Sequence, residues 1–580
     1  MKRLFFYMKQ YRVQAILAPL FKMLEATFEL LLPLIVAEMI DVGIANKDIP
    51  YLLQHGLQML LMGVIGFSAA IVAQYFAAKT AVSVSAAIRG DLFAHITTLS
   101  YREIDRIGTS VFITRMTSDV NQVQSGINMT LRLLLRSPFV VFGAVLMACL
   151  VDLQVGLVFL IVVPVLLVIT LGILIGTMPM YRDTQKGLEG LTRQTRENLN
   201  GVRVIRAFNR QAQEKNVFSA AAASLYTKQV NVGRISALLN PLTTVMINLG
   251  IAAVLWSGGI RVNAGDLSQG QVIALVNYMS QILVELIKMA NYIITVSRAI
   301  ASMRRIDEIF REKNSQRDGT KHMATDVACD ISFDHVTFAY HRDGQPALKD
   351  ISFHAAAGET IGIIGGTGSG KSTLVNLIPR FYDADQGRIS INGQAVEDYR
   401  IASLREHVGI VPQKATLFTG TLRSNLLWGN GDASEEALQQ AVAIAQASEI
   451  VESKGLGLDF PIEQEGRNLS GGQKQRITIA RALVRKPQIL ILDDSASALD
   501  FATDARLRKA IRENSQDTTV FLVSQRVNTI RNADCILVLD QGQLAGCGTH
   551  EELLRDCRIY RDFCKSQLSD EEITTALQHR

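Results

Sequence analysis

The chain has 580 residues, 48% of them apolar and only 19% charged, and its mean hydropathy is positive. That composition excludes a disordered or fibrous chain and, with apolar stretches of membrane-spanning length, a wholly soluble one. The 59 basic against 54 acidic residues leave a formal charge of +5, too small and too dispersed to point to nucleic acid as a partner.

The N-terminal MKRLFFYMKQYR starts basic, but Lys9 and Arg12 interrupt its apolar run before a signal-peptide core can form. It reads as an amphipathic helix lying on the membrane face. Six apolar stretches follow, at Ala15 to Ile40, Leu57 to Ala78, Leu133 to Val151, Val155 to Met178, Leu238 to Ile260 and Val272 to Val296. At helical rise each is long enough to cross roughly 30 Å of hydrocarbon.

Basic residues orient these spans. Lys2, Arg3, Lys9 and Arg12 precede the first, Arg89, Arg102, Arg106 and Arg115 lie between the second and third, and a basic series from Arg182 to Arg234 lies between the fourth and fifth. The opposite side carries only Lys47 and Arg261. Both termini are therefore expected in the cytosol, with Asp152-Leu153-Gln154 a tight turn on the far side. The two cytosolic connections are too long for simple loops and too poor in apolar residues for cores of their own. They are predicted as helices that leave the bilayer, reach about 40 Å into the cytosol and return, with tips able to dock on a soluble domain.

Charged residues inside a bilayer are costly and mark a cavity or a partner. Lys22, Glu25 and Glu29 in the first span, and Glu285 and Lys288 in the sixth, each fall near one helix face. This spacing fits a central polar cavity, pairs that neutralise each other, Lys22 with Glu25 and Glu285 with Lys288, or side chains that snorkel near a helix end. The six cysteines form no C-x-x-C pair and no His/Cys cluster, and read as small packing residues.

After about residue 320 the composition becomes globular, and the chain is expected to divide into a membrane domain, 1–315, and a globular domain, 316–580. Thr360 to Ile364 reads as a buried strand running into Gly365-Gly366-Thr367-Gly368-Ser369-Gly370-Lys371-Ser372, with a helix from Thr373. In a G-x-x-x-x-G-K-S loop between strand and helix, backbone N–H groups close around a phosphate chain. The lysine reaches the β and γ phosphates and the serine ligates Mg²⁺. The apolar run Ile489 to Leu492 ends in Asp493, placed for the Mg²⁺ shell at the end of a second parallel strand. Between them, Leu469-Ser470-Gly471-Gly472-Gln473 offers the amides and hydroxyl of a helix start to a second anion.

These motifs, with Ser497-Ala498-Leu499-Asp500 after ILILDD, resemble the nucleotide-binding domain of ATP-binding cassette (ABC) transporters. Glu197 to Asn209 (ENLNGVRVIRAFN) and Thr117-Ser118-Asp119-Val120 resemble the cytosolic loops of type IV exporters. The resemblance covers essentially the whole chain. It implies a multidomain membrane protein, an all-α six-helix transmembrane domain followed by an α/β P-loop nucleotide-binding domain, with ATP and Mg²⁺ as cofactors. It gives Tyr340 the role of stacking on adenine, Gln413 that of contacting Mg²⁺ beside Ser372 and Asp493, and Asp500 a place in the D-loop. It also implies a head-to-tail cassette pair, in which ATP held on Gly365 to Thr373 of one chain is covered by the Ser470–Gln473 signature of the other.

Two positions depart from the family pattern. The glutamate expected after the Walker B aspartate is Asp494, one methylene shorter, and the expected switch histidine is Gln525, which cannot carry positive charge. Both serve one site while the signature is intact, which suggests the degenerate half of a heterodimer whose partner supplies the Glu and His. A homodimer with slow turnover, or an ATP-gated channel or transport regulator, stays open as an alternative. The family direction is export by alternating access from a cell (plasma or inner) membrane, with amphipathic drugs, lipids or peptides as substrate classes.

Overall fold

The computed structural model describes residues 2–325, 327–341, 344–453, 455–495, 497–514 and 517–573. It contains two compact units: Met1–Thr98 with Gly108–Glu312, and Leu99–Ile107 with Lys313–Arg580.

The first unit is helical. The amphipathic N-terminal segment forms Lys2–Gln10, where Phe5 and Phe6 are exposed while Tyr7 is buried and donates to Asp91 (2.7 Å). Among the described residues, five helical segments are long and apolar enough to cross a membrane: Ile49–Thr98, Thr109–Val151, Leu153–Asn200, Gln211–Ala264 and Gln269–Arg311. The sequence leads one to expect six. The missing one, Ala15 to Ile40, falls on helix Arg12–Glu38 and the π-helical turn Met39–Ile44 that continues it. Lys22, Glu25, Glu29 and Glu38 make that helix too charged to meet the same test of composition.

The expected three-residue turn after the third span is tighter than predicted. Helix Arg136–Val151 stops at Asp152, which is itself the N-cap of Leu153–Asn200 and accepts from Val155 N–H at 2.9 Å. Asp152 also pairs with Arg261 at 2.7 Å. At the start of Gln269–Arg311, Ser268 and Gln271 form a capping box. Asp41 adds to it by accepting from the Ser268 hydroxyl and from Gly270 N–H. The core gathers Phe159, Leu166, Leu275, Tyr278 and Ile282, and the Tyr278 hydroxyl finds its acceptor in Leu30 C=O at 2.7 Å.

The intramembrane charges of the unit do pair locally. Lys22 bonds Glu25, and Lys288 lies 2.8 Å from Glu285. A third cation joins them: Arg136, 6% exposed, reaches both Glu285 and Glu29, and Ser137 donates to Glu285 at 2.8 Å. A cavity of about 350 Å³ lies beside this network, lined by Glu29, Pro33, Asn277, Gln281 and Glu285 among others.

The second unit is α/β. A six-stranded sheet runs Gln543–Gly548, Cys535–Asp540, Thr360–Gly365, Thr519–Val523, Ile489–Asp493, Val408–Val411, parallel except for the first of these. Its central strands are mostly apolar and buried along nearly their whole length, as strands covered on both faces must be. A second, antiparallel sheet pairs Ile331–Phe338 with Leu348–Ala355 and Gln386–Ile391.

The short helix Tyr101–Ile107 belongs to this second unit. Tyr101 lies 4.6 Å from the Phe381 ring, Arg102 pairs with Asp385 (3.0 Å), and Tyr382 donates to Asp105 (2.5 Å). The corresponding tip of the other long connection between spans, Val202–Ala207, has no buried residue, and Val204 and Phe208 are exposed.

Candidate functional site

Parallel register decides which side chains meet. Val523 pairs with Asp493 and with Ile363, and Leu539 with Gly365, so the carboxyl ends of neighbouring strands lie side by side, where loops can converge on a ligand. Asp494 N–H continues the ladder to Val523 C=O at 3.0 Å, and Ser524 N–H does so to Ile363 C=O at 3.0 Å. Asp493, Asp494, Ser524 and the loop after Gly365 therefore occupy one end of the sheet.

The loop turns tightly into its helix, which begins at Lys371 rather than at the expected Thr373, with Gly370 as N-cap. Gly370 has φ +97°, and a Cβ there would lie 2.7 Å from Ala347 C=O, so a side chain is excluded on both counts. Gly366, Thr367 and Gly368 are exposed, whereas Ser369 and Lys371 are buried. Lys371 Nζ folds back onto Gly365 C=O (2.9 Å) and Gly366 C=O (2.7 Å). Burial pulls its pKa down, against the opposing pull of Asp494 and Asp493.

Ser372 Oγ donates to Asp493 Oδ1 at 2.9 Å, and Gln413 Nε2 donates to Asp494 Oδ2 at 3.2 Å. The four side chains thus form two hydrogen-bonded pairs on adjoining residues. Burial raises the pKa of Asp493, offset by the Ser372 hydroxyl and Lys371 and reinforced by Asp494. Burial also raises that of Asp494, offset by Gln413, Lys371 and Arg526. Asp494 has φ +46°, a left-handed conformation uncommon for a non-glycine residue. Gln525 is exposed, and its backbone C=O accepts from Gln567 at 2.8 Å.

Tyr340 is 40% exposed at the margin of this region, its hydroxyl 3.0 Å from Thr373 Oγ1 and its ring edge-on to Tyr382. Asp500 accepts from Thr503 N–H at 2.9 Å and so caps the helix Phe501–Asn514. The turn Ser470 to Gln473 caps its own helix, Gly471–Val484, through a capping box. It lies against the 498 turn, where a Cβ on Gly472 would come within 2.9 Å of Ala498 C=O. Among the described residues no hydrogen bond joins that turn to the loop before Lys371.

Sequence reasoning misses Arg526. It donates to Ser497 C=O and Leu499 C=O, both at 3.3 Å, and lies 5.0 Å over the Phe501 ring, fixing the segment that follows Asp494. An arginine directly after Gln525 carries no motif; only its position beside a strand end could have suggested it.

The residues fit a magnesium-bound nucleoside triphosphate. Ser369 Oγ is buried without a hydrogen-bond partner, in a loop whose preceding residues Gly366, Thr367 and Gly368 are exposed. The described residues hold no group of three or more His, Cys, Asp or Glu side chains arranged for a metal. One carboxylate and one hydroxyl are the donor set expected where Mg²⁺ takes most of its remaining ligands from phosphates and water.

Residues 15–286 match the family model of the ABC transporter transmembrane region and residues 348–497 that of the ABC transporter. The chain is 37% identical to the uncharacterized ABC transporter ATP-binding protein YfiB of Bacillus subtilis (strain 168), over 98% of this chain and 99% of that one. It belongs to the ABC transporter family. An ATP-dependent lipid A-core flippase of Hahella chejuensis is 31% identical over 86% of this chain and 85% of its own. Among solved structures, a bacterial Atm1-family ABC exporter with ATP bound superposes with a TM-score of 0.78 at 25% identity, covering 97% of this chain and 99% of that one. The protein is therefore an ABC exporter, with a helical membrane domain followed by an α/β ATPase domain. Transporters of this family work as dimers of cassettes, and its ATPase domain implies nucleotide binding.

Proposed function

We propose that this chain is one half of a heterodimeric, ATP-driven exporter of a cell (plasma or inner) membrane, both termini cytosolic, and that its own phosphate loop forms the weakly hydrolytic site of the pair. The observation that carries this reading is Asp494: a carboxylate one methylene short of the family's glutamate, hydrogen-bonded to Gln413 and next to Asp493.

Gly365 to Thr373 hold the triphosphate, Lys371 turning from Gly365 and Gly366 C=O toward it, and Tyr340 takes the adenine. Ser372, Asp493 and Gln413 hold Mg²⁺. Bound MgATP supplies a phosphoanhydride whose cleavage drives the cycle. Asp494 and Gln525 stand where a general base and a charged switch residue are needed, and each falls short, Asp494 in reach and Gln525 in charge. A catalytic group displaced by about 1 Å loses on the order of 100-fold in rate. The capped Ser470 turn, unbonded to its own chain's loop, supports a role on the partner subunit's nucleotide, with Asp500 in the D-loop at the same interface. The boundary between the membrane and ATPase domains is placed near residue 315.

The substrate class is amphipathic, a drug, lipid or peptide. The flippase relative supports a lipid, and membrane lipid is the medium in which the substrate is met. ATP hydrolysis by the chain reconstituted alone, and together with a second half-transporter bearing the Glu and His, tests the proposal. Near-inactivity alone with activity in the pair supports it. Fast hydrolysis by the chain alone identifies a homodimer and overturns it.

A further inference from the structure

Two of the six cysteines stand apart from the rest. In the hairpin at the sheet's edge, Leu537 pairs with Cys547, and Cys535, two residues earlier, lies on the same face as its diagonal neighbour. The two sulfurs are 3.2 Å apart, and one thiol can donate to the other. Cys547 lies on the outermost strand and is exposed, while Cys535 is part-buried behind it.

The remaining cysteines are held differently. Cys329, Cys557 and Cys564 are buried, and Cys149 lies in a membrane helix. Burial pushes the thiols of Cys329 and Cys564 up, to about 11, which keeps them protonated and poor nucleophiles. At the pair the hydrogen bond works in opposite directions on its two members, raising Cys535 and holding Cys547 below the usual thiol range.

From this geometry we infer that Cys535 and Cys547 form a reversible dithiol–disulfide site oxidised by peroxides, with Cys547 as the attacking sulfur and Cys535 as the resolving one. The Cys547 thiolate attacks one peroxide oxygen; the O–O bond breaks, hydroxide leaves and is protonated to water, and Cys547 becomes a sulfenic acid. The Cys535 sulfur then attacks the Cys547 sulfur. The S–S bond forms as the S–O bond breaks, and the departing hydroxyl leaves as a second water with the Cys535 proton. The two thiols together lose two electrons and one peroxide gains them. A cellular thiol reverses the step by exchange. The site is independent of the ATPase assignment, although its strand pairs directly with the phosphate-loop strand, Cys535 opposite Ile361 and Leu539 opposite Gly365.

The test uses the full chain purified in detergent and treated with stoichiometric hydrogen peroxide, then alkylated, digested without reduction and mapped by mass spectrometry. A Cys535–Cys547 cross-linked peptide, loss of two of the six titratable thiols, and recovery with dithiothreitol are expected. Cys535→Ser is expected to leave a Cys547 sulfenic acid that dimedone traps, and Cys547→Ser a chain whose thiols survive the same dose. The wild-type map decides the matter even where a variant folds poorly. Direct oxidation of Cys547 to the sulfinic acid without a cross-link, or equal loss of all six thiols, overturns the inference.

Discussion

Ser372 Oγ donates to Asp493 Oδ1 across 2.9 Å, joining the helix after the phosphate loop to the end of a strand 121 residues further along the chain. This bond orients the carboxylate. Removing the hydroxyl in Ser372→Ala deletes both a proposed Mg²⁺ ligand and the group that aims Asp493. Mg²⁺-dependent nucleotide affinity is expected to fall by about 10- to 100-fold, the range found for groups that orient a metal ligand. Titration with a fluorescent ATP analogue, with Mg²⁺ and with EDTA, measures it; an unchanged difference between the two conditions removes Ser372 from the metal site.

Asp494→Glu combined with Gln525→His is expected to raise ATP turnover of this site by on the order of 100-fold. Steady-state hydrolysis in proteoliposomes reads the effect. Each single variant is expected to gain less than the pair, because both positions serve the same nucleotide site.

Arg136 faces Glu285 and Glu29 from a position 6% exposed. Replacing it by Met leaves the buried Glu285 carboxylate with Lys288 and Ser137 alone, and breaking a buried ion pair from one side costs at most about 3–5 kcal/mol. Thermal unfolding in detergent is expected to show Arg136→Met less stable than the double variant Arg136→Met with Glu285→Gln. The reverse order would mean that the network is solvated and adds little.

Gly370→Ala puts a Cβ at φ +97° and 2.7 Å from Ala347 C=O. Strain of this kind costs about 1–3 kcal/mol, and the N–H groups of the phosphate loop are expected to lose their arrangement with it. Nucleotide binding should weaken more than it does in Gly366→Ala, where a Cβ has nothing within 4 Å.

A pH dependence follows from Glu103, which is buried in the Tyr101–Ile107 helix. Burial opposes its ionisation, but donors from Ser100 and Ser315 outweigh that, so its pKa in the folded chain lies below the ordinary glutamate value of 4.5. A carboxyl whose pKa is depressed on folding stabilises the fold above the unfolded value, and that contribution is lost as pH falls through the folded one. Melting temperature is therefore expected to fall below about pH 4.5 by less in Glu103→Gln than in the wild type.

How much of this is legible in the sequence depends on how local the physics is. The phosphate loop, the Ile489–Asp493 strand and the Ser470 helix start are readable because glycines, an apolar run and a capping pair act within a few residues. Arg136 is not, because a basic residue at the start of an apolar stretch looks like a membrane flank until helices distant in sequence bring Glu29 and Glu285 to it. The count of spans differs for a related reason: Lys22, Glu25 and Glu29 offset the apolarity of their helix, and only packing shows where they point. Arg526 and the Cys535–Cys547 contact depend on strand register, which no spacing along the chain encodes.

The assignment of Tyr101–Ile107 to the ATPase unit bears on how that unit can be isolated. A fragment cut at the obvious boundary, beginning at Lys313, would lack residues 99–107 and deprive Phe381, Tyr382 and Arg405 of the Tyr101 and Asp105 side chains that pack and bond against them from outside the fragment. Such a fragment would present a sticky aromatic face to its neighbours in solution. Self-association, or activity lost through it, would then reflect the missing seven-residue helix and not the nucleotide site. Supplying residues 99–107 as a peptide in trans, or grafting them through a flexible linker, would restore the native covering.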